Sequence, residues 1–551
     1  MHNSNSFKRI TIFAIFIWLL VNVLQAVFTP IHIDEAYYWM FSQHLDWGYF
    51  DHPPAVAFLI KLSDSLFSGT LGVRFLSVVA QLASFYMIFL TVKQDITVKE
   101  GLLLKLFLVF ILLPLNHIFG FITTPDVPLM FSASLFFYSL KRVVEEKDNF
   151  SFMLWSLSMA MMLYSKYHSG LVILFILLAI PSLFKNWRTY ASGGFALLLF
   201  LPHILWQYEH DWVSVMYHLS ERAVEFKWTF PLEYIGNILL IFNPVFILLL
   251  YKMIRKGWQN SFERGCYFVV AGFLLFFLWQ SFRVQVQAQW LIVLYIPSLI
   301  LMRKEIAGVT WKKIGKMFLW LAPIFIALRL FMIFDILPVK FNIHGNEAYV
   351  SQIEEDAKGR EVMFYGSYKR AALYTWYGEQ DYTHSYNGVI NRKNQFNIWD
   401  FDKDLLEQDI YFVGVYSPGR ESTYYEDGNY YGNVITYKTS DKLKVKVYNT
   451  DITGGFLNCE IQIENPYGFP IHYEEKYMLA VQYYDDKKRT DRSFPVEDFK
   501  IYAQENQNYK VRFPISEHSG TNNFSLIIRH ENLPFGTAYY KYTYPTQNAD
   551  Q

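Results

Sequence analysis

Residues 10–55 read ITIFAIFIWLLVNVLQAVF, then TPIH, then IDEAYYWMFSQHLDWGYFDHPPA, and this stretch decides the fold. The apolar run over 10–28 is long enough to cross a bilayer and is followed at once by the diacidic pair Asp34 and Glu35. A second acidic cluster, Asp51 with His52, is stopped by Pro53 and Pro54. Carboxylates at the mouth of a span cost free energy unless they face water or a ligand, so they are functional candidates. Lys8 and Arg9 precede the run as in a signal peptide. The run is nevertheless long for such a segment and lacks a small-x-small cleavage site, so it reads as an uncleaved first helix. Between Asp34 and Leu45 the pattern predicts a short amphipathic interfacial helix anchored by Tyr37, Tyr38, Trp39 and Phe41.

Further apolar runs lie near 72–92, 101–121, 126–140, 150–164, 169–184, 190–206, 231–251, 265–282, 287–302 and 316–336. With the first, they predict a polytopic α-helical membrane protein of about eleven transmembrane helices. The chain is 53% hydrophobic and 19% aromatic with zero formal net charge, but 340–551 is polar and Tyr-rich. That split predicts a membrane part and a water-soluble part. Residues 1–338 form the first, and 339–440 and 441–551 two further domains. No basic groove or tail suggests nucleic acid. The two cysteines, Cys266 and Cys459, cannot build a disulfide framework.

The loops alternate in basic content. Lys8/Arg9, Lys93/Lys99, Lys141/Arg142/Lys147, Lys185/Arg188, Lys252/Arg255/Lys256 and Arg303/Lys304/Lys312/Lys313 form one set. The positive-inside rule puts that set and the N-terminus in the cytoplasm, and the C-terminal half outside. Asp34/Glu35, Asp51/His52, Asp126, Lys166-Tyr167-His168, Glu209/His210/Asp211 and the stretch from Arg283 to Trp290 then share the external face. Each has a plain reading beside the functional one. An acid pair can cap an interfacial helix, Asp126 after Thr124-Pro125 can be an N-cap, and Lys166 can snorkel. Gln285, Gln287 and Gln289 alternate after Arg283 and suggest a lined cavity, although Trp290 can be a belt residue. His210 and Asp211 lack any HxxxH or CxxC spacing that would support a protein-built metal site.

The succession DEAYYW, GYFDHPP, TPD, SKYHSG and a late Gln/Trp motif resembles the integral-membrane glycosyltransferases of the GT-C fold. Within them it resembles the polyprenyl-phosphate-sugar-dependent branch of lipid A aminoarabinose transferases and protein O-mannosyltransferases. The resemblance covers about residues 10–340. It implies a sugar donor on an isoprenoid phosphate and a hydroxyl acceptor on a glycolipid, glycan or protein. It implies inversion by single displacement, with Asp34 as catalytic base. Glu35, Asp51, His52, Asp126, Lys166, Tyr167, Arg283 and Gln287 are then the expected substrate-binding residues. His52 stands where the aminoarabinose branch carries a lysine against the phosphate, so Lys166 and Arg283 would contribute more, or a divalent cation would help. No other cofactor is implied. A transporter is the rival class, but no repeated pair of broken helices is visible.

In the polar half, EVMFY, SYKRAALYTWYG and DIYFVGV predict a small α/β unit, with Gly366 and Gly378 bracketing its helix. Arg370, Arg392 and Asn394 are acceptor candidates there, weighed against ordinary solvated residues. From Lys442 onward LKVKVYN, NCEIQIEN, YMLAVQYY, NYKVRFPI, FSLIIRH and AYYKYTY predict an antiparallel β-sandwich of about seven strands.

Overall fold

The computed structural model describes residues 2–93, 101–218, 226–336, 342–387, 392–399, 401–414, 423–424, 431–438, 443–472, 477–484, 489–493, 500–501, 505–514, 523–530, 533 and 542–543. It divides into two compact units, Met1–Gly345 and Asn346–Gln551.

The first unit is helical: α1 (His2–Phe28), α2 (Ile33–Gln43), α3 (Ala55–Asp64), α4 (Gly69–Val92), α5 (Leu102–Ile111), α6 (Asp126–Glu145), α7 (Asn149–Ser165) and α8 (Ser169–Ala179). Then come α9 (Trp187–Glu209), α10 (Val213–Met216), α11 (Thr229–Lys256), α12 (Ser261–Gln280), α13 (Tyr295–Leu301), α14 (Arg303–Gly308) and α15 (Trp311–Ile333). Every apolar run named from the sequence is at least partly helical, but the spanning count differs. Among the described residues six helices, α1, α4, α6, α9, α12 and α15, are long and apolar enough to cross a membrane, or seven if the two arms of α11 make one span. The physical reason is breakage. Pro114 and Pro181 open short 3-10 turns after α5 and α8. The arms of α11 meet at 93° where Asn243 adopts φ 43°. Proline removes a backbone donor and clashes with the preceding turn, so an apolar run need not be one straight rod.

Exposed apolar side chains ring these helices, among them Phe13, Leu198, Leu275 and Trp320, as expected for surfaces facing lipid. The basic ends gather together: Lys141 Nζ donates to Thr91 O (2.7 Å), and Lys105 Nζ to Ala307 O and Val309 O (3.0 and 2.7 Å). At the opposite ends of α4 and α6 lie the acidic motifs.

The second unit opens with α16 (Asn346–Ala357). A five-stranded mixed sheet follows, in the order β2-β1-β3-β5-β4. Its strands are β1 (Val362–Tyr365), β2 (His384–Tyr386), β3 (Asp409–Val413), β4 (Thr423–Tyr424) and β5 (Tyr431–Thr436), and α17 (Tyr368–Tyr377) links β1 to β2. β2 and β3 flank β1 in parallel, while β5 is antiparallel to β3. The remainder is all β. One three-stranded sheet pairs β7 (Phe456–Glu464) with β6 (Lys444–Thr453) and β12 (Asn506–Pro514). A four-stranded sheet has the order β10-β9-β13-β14, built from β9 (Tyr477–Tyr484), β10 (Arg489–Ser493), β13 (Asn523–His530) and β14 (Tyr542–Thr543). The short β8 (Ile471–His472) and β11 (Lys500–Ile501) form a separate ribbon. Leu457, Ile461 and Phe513 from one sheet share a buried cluster with Leu479, Phe524 and Ile528 from the other, the face-to-face packing of a sandwich. The strand expected over 538–544 lies outside the described residues except for 542–543.

Candidate active site

α2 begins with a capping box: His32 Nδ1 accepts from Asp34 N–H (3.1 Å), and Glu35 accepts from His32 N–H (3.1 Å). Successive helical residues point about 100° apart, and the pair separates accordingly. Glu35 is wholly buried, held by Arg74 of α4 through Nε (2.9 Å) and Nη2 (2.6 Å), and also accepts from Thr123 N–H (2.8 Å). The remaining Arg74 donors bind Ala26 O, Thr29 O and Pro30 O at the end of α1. Glu35, expected as a substrate ligand, therefore ties α1, α2, α4 and the approach to α6 together. The side chain of Asp34 is about a third exposed. His32 Nδ1 lies 3.9 Å from its carboxylate, but that nitrogen is occupied as an acceptor, so His32 acts as a cap and not as a counter-charge.

Two expected interfacial anchors also differ. Tyr37 and Phe41 are buried in protein, and Phe41 stacks flat on Tyr49 at 4.0 Å. Tyr49 OH donates to Phe41 O (2.8 Å) and accepts from Asp46 N–H (3.1 Å), folding the 44–54 loop back on α2. In that loop Asp51 is buried, and His52 Nε2 lies 3.3 Å from Tyr38 OH.

Asp126 is the first residue of α6, with Pro125 at the N-cap position and no side-chain cap. Its carboxylate instead accepts from Lys166 Nζ at 2.7 Å, and both side chains are buried. The capping and snorkelling readings give way to one ion pair joining α6 to the end of α7. Next to it, Tyr167 OH lies 3.2 Å from His203 Nε2 and accepts from Gln207 Nε2 (3.2 Å). Burial pushes the Tyr167 phenol well above its ordinary value, so it donates to His203 Nε2, and His203 Nδ1–H donates to Trp47 O (2.7 Å). Trp206 Nε1 donates to Asp46 Oδ2 (2.7 Å), and Ser214 Oγ to Tyr49 O (2.9 Å). His203, Trp206, Gln207 and Ser214 were not singled out from the sequence. A His-x-x-Trp-Gln run at helical spacing near a span's end was the one signal available.

Arg283 and Gln287 stand apart. Both are exposed; Arg283 lies over the Trp279 ring (5.6 Å), and Gln287 accepts from Gln289 (2.9 Å). Gln285 donates to Glu233 (2.7 Å). Among the described residues no group of three or more His, Cys, Asp or Glu side chains is placed to hold a metal. Arg370 and Arg392 both stack on tyrosines, Tyr349 and Tyr368, and Asn394 caps a 3-10 turn.

A bundle of membrane-crossing and broken helices, with an acidic first loop tied across its helix ends and a C-terminal unit containing strands, has the architecture of the GT-C fold. The profile of the dolichyl-phosphate-mannose-protein mannosyltransferase family matches residues 51–206, which takes in Asp51, His52, Asp126, Lys166, Tyr167 and His203. The chain is 23% identical over 306 residues to lipid A galacturonosyltransferase RgtD of Rhizobium johnstonii, covering 52% of this chain and 62% of that one. It is 26% identical over 198 residues to the lipopolysaccharide core galacturonosyltransferase RgtA of the same organism, covering 34% and 40%. The chain thus spans less than two thirds of the length of these relatives. Its fold resembles the crystal structure of ArnT from Cupriavidus metallidurans in the apo state, with a TM-score of 0.57 and 11% identity over 74% of this chain and 93% of that one.

Proposed function

We propose that the protein is an inverting glycosyltransferase. It moves a sugar from a polyprenyl-phosphate donor to a hydroxyl of an envelope glycolipid such as lipid A or its core, at the external face of the inner membrane. The basic loops, α6-end lysines included, then lie in the cytoplasm and both C-terminal layers outside. The observation that carries the reading is the division of labour in α2: Glu35 is consumed by Arg74, which fixes the turn and leaves Asp34 as the partly exposed carboxylate beside it.

Asp34 takes the proton of the acceptor hydroxyl as that oxygen bonds to the anomeric carbon, while the bond from that carbon to the phosphate oxygen breaks. The departing phosphate carries the electron pair and is already a stable anion, so it needs nearby positive charge and no general acid. One carboxylate on the acceptor side suffices for inversion. The buried Tyr167–His203–Gln207 network holds the 44–54 loop through Trp47 O, and the Asp126–Lys166 pair joins α6 to the end of α7. The acceptor class is supported by what the two Rhizobium relatives are named for.

Purified Asp34→Asn, in lipid, should lose glycan transfer by about a hundredfold or more, the usual scale of a positioned base, with its melting temperature kept. Mass spectrometry of envelope glycolipids from cells lacking the protein should show one missing sugar unit. Unchanged transfer by Asp34→Asn would remove Asp34 from this role.

A further inference from the structure

Leaving-group stabilisation needs a cation with charge to spare, and the bundle offers a short choice. Five Lys or Arg side chains are buried among the described residues: Arg74, Lys141, Lys166, Arg303 and Arg329. Four have a carboxylate partner: Arg74 with Glu35 (2.6 Å), Lys166 with Asp126 (2.7 Å), Arg303 with Glu263 (2.6 Å) and Lys141 with Glu145 (4.0 Å). Arg329 of α15 is 6% exposed and has none among the described residues. Its Nε donates to His117 Nδ1 (3.0 Å) and its Nη2 to Asn22 Oδ1 (2.7 Å), both neutral acceptors. Its Nη1 is buried with no acceptor among the described residues. A guanidinium within a span and without an anion is costly, and such residues mark functional sites by default.

Its placement joins it to the site. The guanidinium lies over Trp18 (4.8 Å) and shares the ring of Phe121 with Arg74, at 5.7 and 5.6 Å from the two cations. Two residues after Phe121, Thr123 N–H binds Glu35. A second route runs through Gln25, whose amide donates both to Arg329 O (3.0 Å) and to Thr29 Oγ1 (2.8 Å). Because the Glu35–Arg74 pair is neutral as a whole, Arg329 leaves this cluster with a net positive charge. Arg329 lies four positions before Ile333 at the end of α15, which sets it about 6 Å below that helix end. That depth suits the phosphate of a lipid whose tail lies in the hydrocarbon. Ile326 and Leu330, on either side of Arg329 along α15, are exposed at 58% and 45%, so a lateral approach from lipid is short. Nη1 itself is covered, so entry requires a neighbouring side chain to turn aside.

We propose that Arg329 is an anion site for a lipid-borne phosphate, the isoprenoid phosphate of the donor and product. It supplies the charge that Lys166 and Arg283 do not. The inference rests on the glycosyltransferase reading, but its test is binding and not transfer. Full-length protein in nanodiscs is titrated with undecaprenyl phosphate, with undecaprenol, and with phosphatidylglycerol at the same mole fraction. The wild type should bind undecaprenyl phosphate at least tenfold tighter than undecaprenol. Arg329→Met should lose that preference and Arg329→Lys should keep most of it.

Equal binding of undecaprenyl phosphate by Arg329→Met and the wild type overturns the inference while leaving the enzymatic reading intact. Binding of undecaprenyl phosphate by neither protein overturns both. Displacement by phosphatidylglycerol at equal mole fraction overturns the isoprenoid assignment in favour of a bilayer lipid. Should Arg329→Met fail to fold, a photoactivatable isoprenoid phosphate decides on the wild type. Cross-links to the α15 peptide around 324–333 support the site, and cross-links confined elsewhere overturn it.

Discussion

Asp34 and Glu35 differ by one position in the chain, yet one lies partly in water and the other in a closed cage of donors. The energetic consequences differ as sharply. Removing one member of a buried, hydrogen-bonded pair leaves the other charge uncompensated and costs about 3–5 kcal/mol. Glu35→Gln or Arg74→Met should therefore lower the melting temperature severely, whereas Asp34→Asn should leave it in place and remove activity; thermal unfolding beside a transfer assay separates the two. The same logic applies to Asp126 and Lys166, which are 40 positions apart. Lys166→Met alone should destabilise more than the double variant Asp126→Leu/Lys166→Met, as measured by unfolding midpoints. These pairings explain what the sequence could and could not disclose at this scale. The diacidic pair is legible as a motif because it is local. The roles of Glu35 and Lys166 are not, because their partners are brought in by tertiary packing and no spacing rule names them.

The 44–54 loop is the element on which the site's shape depends. It has little regular structure, so its form comes from Tyr49 bonded to the backbone at Phe41 and His44, and from Trp206 bonded to Asp46. Gly48 lets Trp206 close over it: a Cβ there would meet the Trp206 ring at 2.3 Å. That ring is nearly buried, bonded to Asp46 and stacked on His210 at 4.2 Å, so it has little room to yield. Gly48→Ala should cost about 1–3 kcal/mol, the usual range for overpacking, and should raise the acceptor KM more than a Gly170→Ala control in open space. Steady-state kinetics on both variants checks it. At this scale the sequence was read well where one pattern dominates. Helices α2, α6 and α17 start within about two residues of their motifs. It was read less well where a run is broken from within, as at Asn243 in α11, because a window of hydropathy is blind to a bend.

At the scale of the whole chain, the split between an apolar helical unit and a polar unit of strands was visible in composition alone, but the direction in which the bundle crosses the membrane rests on loop charge. The two native cysteines make that direction measurable. Cys266 is buried in α12, and burial pushes the Cys459 thiol up from an ordinary value near 9 to about 12. A raised thiol pKa means the folded state holds a proton that the unfolded state releases. The associated stability is therefore complete below about pH 9 and is lost as pH rises toward 12. Compared with Cys459→Val, the wild type should lose midpoint stability progressively between pH 9 and pH 11. Neither thiol should react with a maleimide at pH 7 while the chain is folded. A cysteine introduced at an exposed position then reports alone. Gln285→Cys should react with a membrane-impermeant maleimide added outside intact spheroplasts, and Lys185→Cys only after permeabilisation, both positions being exposed in the fold. The reverse pattern would put Asp34 in the cytoplasm and take the acceptor-facing chemistry down with it, because the cage around Glu35 binds Asp34 to the same end of the bundle as the start of α4 and the approach to α6.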